Sequence, residues 1–479
     1  MNSKKTKIKN IIYILIYSIL IISIGMLHEP WSDEAQSWLI ARDANFHDIF
    51  FKYASYEGCF PLWICILKFF IILGGKYKYL HIISSVITII SAYLIISNQK
   101  IKKEFRYLIP LNFWFFYQYG IISRNYSLIT LSFSLFLLLY EDRHNKKIKY
   151  TILLIFMSMI NIYGMIISGI LFLQLCIENF KKKNLLKIYY IPIVITYILE
   201  IFILMPQKDL LIYFYYQYNL FDIFGSFVLR MITYQNNIFI QSCNLINIVF
   251  IVSIVMTINQ YDKINVFTVL ECTIFIFFML VRGTSHHFWI LFFIIIADLI
   301  FNTQKITNLK EKHIVETITT IILIIYTLLN LKSCIDDIFK DYSGAYTMTK
   351  YISENNIQND EIFAIGYKCT AVLPYFDENI FCGRNTTFYT WDYSNNDNKL
   401  YNALDVIEIL TDMFNNSPKY ILLQQQNLSN TFNSCFKNVI EDSNLYEIIY
   451  ETDGQNFFKG SYNEDEGFIL YELIYWYFK

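Results

Sequence analysis

The sequence predicts an all-α polytopic membrane protein of about eleven spanning helices, followed by a small C-terminal α/β domain outside the membrane. Three observations predict it. Of 479 residues, 55% are hydrophobic and only 16% charged, against roughly 25% charged in average soluble domains. The apolar residues gather in runs near the length that crosses about 30 Å of hydrocarbon. The near-balance of 39 Lys and Arg with 40 Asp and Glu also hides a split. Residues 1–335 hold 30 basic and 18 acidic side chains, net +12, and residues 336–479 hold 9 and 22, net −13. That asymmetry divides the chain into a membrane part, 1–335, and an acidic soluble part, 336–479. Because the basic residues lie between apolar runs and not in one patch, a nucleic-acid binder is excluded. Nine Cys, five of them in apolar segments, exclude a disulfide scaffold.

Spanning helices are expected at 9–27, 79–97, 106–122, 125–140, 150–163, 165–179, 186–205, 237–259, 264–281, 285–301 and 313–332. The first reads as a retained span: its apolar stretch is long, and no small-residue cleavage site follows Met26-Leu27-His28. Phe60–Leu73 is apolar but short and carries Lys68 in its middle, which suits an interfacial helix. Were it a span, Lys100, Lys102, Lys103 and Arg106 would face outward, against the positive-inside rule. With it on the surface, the basic clusters at 4–9, 100–106, 143–149, 181–187, 263 and 305–312 share the cytoplasmic side, 20 of the 30 basic residues. The chain then sits in the cell membrane with its N-terminus inside and its C-terminus outside. The outer face receives the loop 28–78, the tips Ser123-Arg124-Asn125 and Tyr163-Gly164, the loop 206–235, and Arg282 to His287.

Beyond Leu331 the apolar runs shorten and charge rises. Strands are expected at Glu361–Tyr367, Asn379–Cys382, Lys419–Gln424, Tyr446–Glu451 and Gly467–Tyr475, and helices at Gly344–Asn355 and Leu400–Phe414. Strands interleaved with helices indicate an α/β unit large enough to fold alone. Its cysteines Cys334, Cys369, Cys382 and Cys435 have the chance to pair outside the cell, but their spacing does not require it.

The stretch from His28 to Asp43 is the densest polar segment beside the membrane. Ser32 suits the cap of a helix starting at Asp33, which places Asp33 and Glu34 in its first turn. Two acids at a helix start need no other role. A carboxylate directly after a span, between the interfacial Trp31 and Trp38, nevertheless calls for a partner, a cation or a task. Glu57, in Glu57-Gly58-Cys59-Phe60-Pro61-Leu62-Trp63, reads either as part of a helix start or as a second carboxylate facing Asp33. Arg124 serves either as an anchor to lipid phosphate or as a ligand for a substrate phosphate, which guanidinium geometry suits. His286 and His287 precede a span, and adjacent helical residues diverge by about 100°, so both do not reach one ion. The sequence has no Walker loop, dinucleotide fingerprint, HExxH, GxSxG or CxxC, which leaves no nucleotide cofactor to expect.

An Asp-Glu pair in the first outer loop of a polytopic protein with an outer C-terminal domain resembles the C-type (GT-C fold) membrane glycosyltransferases, particularly family-39-like bacterial members. These are related to the protein O-mannosyltransferases and to the aminoarabinose and galacturonosyl transferases of lipid A and its core. The resemblance is carried by Glu29 to Asp43, by Tyr56-Glu57-Gly58 with Pro61-Leu62-Trp63, by Arg124 and Tyr126, by His286, and by Trp391-Asp392. The chain departs from the pattern at Cys59 and Phe60, where His and Pro are usual, and at Ser285 and Phe288, where Arg and Gly are. The resemblance implies an inverting transfer of sugar from a polyprenyl-phosphate donor to an extracytoplasmic acceptor, an envelope glycan, lipid or protein. Asp33 would be the catalytic base, with Glu34 orienting it. Glu57, Arg42, Arg124, Tyr126 and His286 would bind substrate, and Asp33 with Glu57 would hold a divalent cation if one is used. The alternative is a non-catalytic transporter, flippase or accessory protein of envelope-polysaccharide assembly, for which Glu200 and Glu271 are the intramembrane acids.

Overall fold

The computed structural model describes residues 2–181, 190–205, 265–281, 289–382, 387–388, 418–425, 431–454 and 466–474. It is mostly helical with a small C-terminal sheet. Among the described residues four helical stretches are long and apolar enough to cross a membrane: Lys5–Leu27, Tyr77–Ser97, Ile162–Lys181 and Leu309–Phe339. They belong to α1 (Asn2–Leu27), α4 (Leu80–Ser97), α7 (Ile162–Lys181) and α11 (Leu309–Phe339). Between them lie α2 (Ser32–Asp43), α3 (Leu62–Ile72), α5 (Ser127–Leu139), α6 (Lys147–Ser158), α8 (Ile191–Ile203), α9 (Val266–Val281) and α10 (Trp289–Thr303). Ile11, Leu15 and Ile19 of α1 and Ile321, Ile324 and Leu328 of α11 are exposed. A water-soluble protein would bury such rows, whereas hydrocarbon accepts them.

Eleven spans are not established. The expected spans at 125–140, 150–163 and 186–205 are helical over only 12 or 13 residues each, and 237–259 lies outside the described residues. The expected span at 106–122 is broken. Pro110 lacks an amide hydrogen and sits in a 3-10 turn, and Asn112 starts a new turn by accepting the Phe115 amide at 3.0 Å. Tyr117–Ile121 then widens into a π-helix that delivers the chain to Ser123 and Arg124.

Contacts nevertheless gather the loops at two opposite ends. At one end Lys102 pairs with Glu316 at 2.8 Å, Lys100 with Asp142 at 3.4 Å, and Arg143 with Glu178 at 2.8 Å. At the other, His28 meets Asp337, Glu34 meets Ser123, and Asn125 donates to the Ile160 carbonyl at 3.2 Å. The basic clusters at 100–106 and 143–149 thus share an end, apart from the first loop and the C-terminal domain. The bundle between them packs on small residues. Ser84, Ser85, Thr88 and Ser91 of α4 are buried, as are Ser127, Thr130 and Ser134 along α5, which lets backbones approach closely. Gly120 is needed here, since a Cβ would meet Ile21 of α1 at 2.6 Å.

The helix α3 is 11 residues long, about 16 Å, and too short to span. Its Lys68 ammonium donates to the carbonyls of Ala41 at 3.0 Å and Ala44 at 2.7 Å. The charge in an apolar run therefore caps the C-terminal end of α2. At the other end of the chain, α11 runs about 46 Å over 31 residues. It passes residue 335 without a break and is longer than the roughly 30 Å of hydrocarbon that a span must cross.

The C-terminal sheet comprises β1 (Ile362–Ile365), β2 (Tyr420–Gln425), β3 (Tyr446–Thr452) and β4 (Gly467–Leu473), in the order β1-β2-β4-β3. β1 and β2 are parallel and the remaining pairs antiparallel. Asn379–Cys382, expected as a strand, makes a single bridge from Phe381 to Ile362. The expected helix at 344–355 is α12 (Ala345–Glu354), that at 400–414 lies outside the described residues, and α13 (Thr431–Asp442) was not anticipated. Side chains alternate across the sheet. Phe363, Ile365, Ile421 and Leu423 pack on Phe436 and Ile440 of α13. Ile362, Ala364, Leu422 and Leu470 join a second core, shared with Ala35, Trp38 and Leu39 of α2 and with the 3-10 helix Tyr367–Tyr375. The first loop and the C-terminal domain therefore bury one continuous core. Cys334, Cys369 and Cys382 are free thiols.

Gly366 opens that 3-10 helix with φ +100°, and a Cβ would meet the Gln424 side chain at 2.6 Å. Gly366→Ala is expected to cost about 1–3 kcal/mol from the backbone conformation alone, read as a lower thermal midpoint in detergent.

Candidate functional site

The helix α2 begins one residue earlier than expected. Ser32 is its first residue, and Trp31, in extended conformation, precedes it. The Trp31 amide donates back to Glu34 at 3.2 Å, the reciprocal half of a capping box. The Ser32 amide donates at 3.0 Å to Glu466, which also accepts the Ser343 hydroxyl at 2.7 Å. A carboxylate from the C-terminal domain thus sits on the positive end of the helix that carries Asp33. Burial raises the pKa of Glu466, while the nearby Lys368 ammonium and the bonds from Ser343 and Ser32 oppose the rise.

Adjacent residues on a helix diverge by about 100°, and the acidic pair separates accordingly. Asp33 turns toward the opening and forms an ion pair with Arg124, both side chains about one-fifth exposed. Glu34 turns inward and is fully buried. Its Oε1 accepts the Ser123 amide at 2.5 Å, and its Oε2 lies 3.2 Å from His28 Nε2. The Nδ1 of His28 lies 3.1 Å from Asp337 near the end of α11. With a carboxylate on each ring nitrogen, the imidazole is held as a cation. Burial opposes that charge, but Asp337 and Glu34 outweigh it and push the pKa up to about 10.

Around the Asp33–Arg124 pair lie four further residues. Gln36, one turn beyond Asp33, donates to Glu57 at 3.2 Å. Burial raises the Glu57 pKa; Gln36 and Arg124 counter this and Asp33 adds to it. Tyr126 places its ring 5.2 Å from the Arg124 guanidinium. Cys59 is close enough to feel Glu57 and Arg124; burial and then Glu57 push its thiol up to about 12, with Arg124 pulling the other way. Asp33, Glu57, Arg124 and Tyr126 therefore gather in one place. Arg42 does not join them. It lies nine residues along α2, about 13 Å away, bonded to Asp43 at 2.7 Å and to the Phe376 carbonyl at 2.7 Å. His286, with Ser285, Phe288, Trp391 and Asp392, lies outside the described residues.

Sequence reasoning missed Gln36, His28, Asp337 and Glu466. Gln36 was readable as the residue one turn from Asp33 on the same face. Asp337 left a trace, since an acid at a helix C-terminus opposes the helix dipole unless a cation compensates it. His28 and Glu466 are brought in by tertiary structure and left no local mark.

The divalent cation expected at Asp33 and Glu57 would have to compete with the partners those carboxylates already have. Arg124 engages one carboxylate and Gln36 the other. Among the described residues no three His, Cys, Asp or Glu side chains converge on one point.

Residues of α5, α6, α7, α9 and α10 line a largely apolar groove, among them Phe133, Phe136, Leu171, Phe267 and Phe293. Ile160 and Asn161 form part of its rim, and Asn125, next to Arg124, bonds the Ile160 carbonyl. A charged pair at the head of an apolar groove suits an amphiphile with an anionic head. No family model matches the chain, and no curated protein matches it.

Removing Glu34 would strand a buried imidazolium and two amide donors. Glu34→Ala is expected to cost about 3–5 kcal/mol, measured by thermal unfolding. His28 also carries a pH signature, with Asp337, Glu34, His81 and Glu29 as the charged or titratable groups acting on or beside it. Its pKa is raised, so its stabilising share is complete below about pH 6.5 and is lost as the pH climbs to about 10. The thermal midpoint should fall across that window, and His28→Gln should flatten the slope.

Proposed function

We propose that this chain is an integral-membrane, inverting glycosyltransferase of the GT-C kind, which takes its sugar from a polyprenyl-phosphate donor. The observation that carries this reading is the Asp33–Arg124 pair at the head of the apolar groove. A polyprenyl phosphate has the matching form, an isoprenoid chain with one anionic head at the membrane surface. The chain would lie along Phe133, Phe136 and Phe293, and the phosphate would meet Arg124.

In the resting site Asp33 is engaged by the guanidinium. A donor phosphate competes for Arg124, and its arrival leaves the carboxylate to accept a proton. The acceptor hydroxyl oxygen then attacks the anomeric carbon from the face opposite the phosphate. The carbon–oxygen bond to phosphate breaks with its electron pair, the hydroxyl proton passes to Asp33, and polyprenyl phosphate leaves against Arg124. General-base help of this kind contributes roughly 10²- to 10⁴-fold; charge neutralisation and positioning contribute the rest. Glu57, held by Gln36, borders the position of the sugar. In this reading the membrane is the cell membrane, and the site and the C-terminal domain face outward, toward an envelope acceptor.

The transporter reading draws on buried acids inside the bundle. Glu200 accepts the Ser158 hydroxyl at 2.8 Å, and Glu271 is buried on α9. Those groups lie away from the Asp33–Arg124 pair, so the two readings separate by mutation. Asp33→Asn should abolish sugar transfer without affecting membrane insertion, seen by mass spectrometry of envelope glycans and polyprenyl-phosphate sugars. Full activity of that variant would refute the glycosyltransferase, and loss on Glu200→Gln alone would favour transport. Single cysteines on the intact cell test the orientation: one at Asp341 should react with an impermeant maleimide, and one at Lys103 should not.

A further inference from the structure

The ion pair that faces the substrate has its two members on separate elements, Asp33 on α2 and Arg124 on the tip before α5. A single side chain joins those elements one residue away from each. Glu34 follows Asp33, and its carboxylate takes the amide of Ser123, which precedes Arg124. Ser123 is also tied through its hydroxyl, to Ser84 at 2.9 Å and the Ile121 carbonyl at 3.3 Å. The carbonyl of the same peptide, on Ile122, accepts the Arg124 amide at 3.1 Å, so the bond from Glu34 orients a peptide coupled directly to Arg124. Glu34 is itself fully buried against His28, and His28 is held on its far side by Asp337.

We propose that His28 and Asp337 are positioning residues, which act through Glu34 to hold the Arg124 guanidinium where an anionic head group binds. The nature of that head group rests on the polyprenyl-phosphate reading; the positioning itself does not. The end of α1 and the end of α11 would then set the geometry of a residue neither of them touches. Asp337 also lies only a few residues before the C-terminal domain, so the packing of that domain is linked to the guanidinium through one chain of charged bonds.

The test uses the full-length protein in lipid nanodiscs with farnesyl phosphate as probe. His28→Gln and Asp337→Asn should each weaken binding about tenfold, in the direction of Arg124→Ala. The His28→Gln/Arg124→Ala double variant should bind no more weakly than Arg124→Ala alone, because both changes act on one group. Unchanged binding in the folded single variants, or losses that add, overturns the proposal. If His28→Gln does not fold, Asp337→Asn carries the test, since it keeps the size of the side chain and one acceptor. If the wild type does not bind farnesyl phosphate, the polyprenyl-phosphate reading fails, and the positioning is read from Cys59 instead. Arg124 favours the Cys59 thiolate, so a displaced guanidinium should slow N-ethylmaleimide alkylation of Cys59 at fixed pH, followed by peptide mapping. At least a threefold slowing in His28→Gln, matched by Arg124→Ala, is expected. An unchanged rate in His28→Gln overturns the proposal.

Discussion

A fully buried carboxylate, Glu34, is the constraint on which the site depends. An ionised carboxyl group removed from water is tolerated only when cations and donors satisfy it. Glu34 meets that demand with groups from three parts of the chain: the Trp31 amide at its own helix start, the Ser123 amide from the tip before α5, and the His28 ring at the end of α1. His28 in turn recruits Asp337 from α11. Three stretches distant in sequence, 28–34, the tip at Ser123 and the end of α11, are thereby fixed at one end of the bundle. Asp33 and Arg124, each next to a residue in this cluster, inherit their positions from it.

The same constraint explains why the C-terminal domain is not an appendage. A helix that presents Asp33 and Glu34 in its first turn needs its amides satisfied and its axis held. Glu466, 434 residues away in the chain, satisfies the Ser32 amide, and the core shared with β1, β2 and β4 holds the axis. At the other end of α2, the Lys68 ammonium closes the carbonyls and Arg42 bonds the Phe376 carbonyl. Arg42, expected at the substrate, is used to fasten the helix to the domain that covers it. The soluble domain thus completes the framework of the site.

The sequence made legible whatever depends on local pattern. Apolar runs located α1, α4 and α11. Short β-rich runs located the four strands of the described residues and marked a fifth stretch, Asn379–Cys382, that makes only a bridge, and the shortness of the run Phe60–Leu73 matches a helix of 11 residues. Loop basicity sorted the ends of the bundle in a way the contacts reproduce. What was not legible has physical reasons. The run 106–122 is apolar enough to span, but Pro110 and Asn112 break it, and hydropathy does not register a break in backbone hydrogen bonding. Asp33, Glu57, Arg124 and Tyr126 were nameable because each sits in a short polar interruption between apolar runs. His28 and Asp337 were not, because their meaning lies in a contact across 309 residues. Asp33 and Glu34 look alike in the sequence, and only the helix rotation shows that one faces the opening and the other the interior.

That rotation also bears on energetics. An anion that binds Arg124 must first break its pair with Asp33, so ground-state attraction at the head group is partly offset by the pair it replaces. In the proposed reading the groove compensates by packing against the isoprenoid chain, a gain of van der Waals contact and not of transfer from water, since lipid tails are as apolar as the groove. In that reading, binding energy from a part of the donor that does not react would be directed to releasing the carboxylate that must accept a proton. Asp33 would then be freed only when a phosphate-bearing ligand occupies the site, and the base would be withheld from water until there is a donor for it to act upon. This ordering needs Asp33 and Arg124 close enough to pair, yet open enough for a phosphate to intervene. The fully buried Glu34 beneath and the one-fifth exposure of the pair above satisfy both requirements.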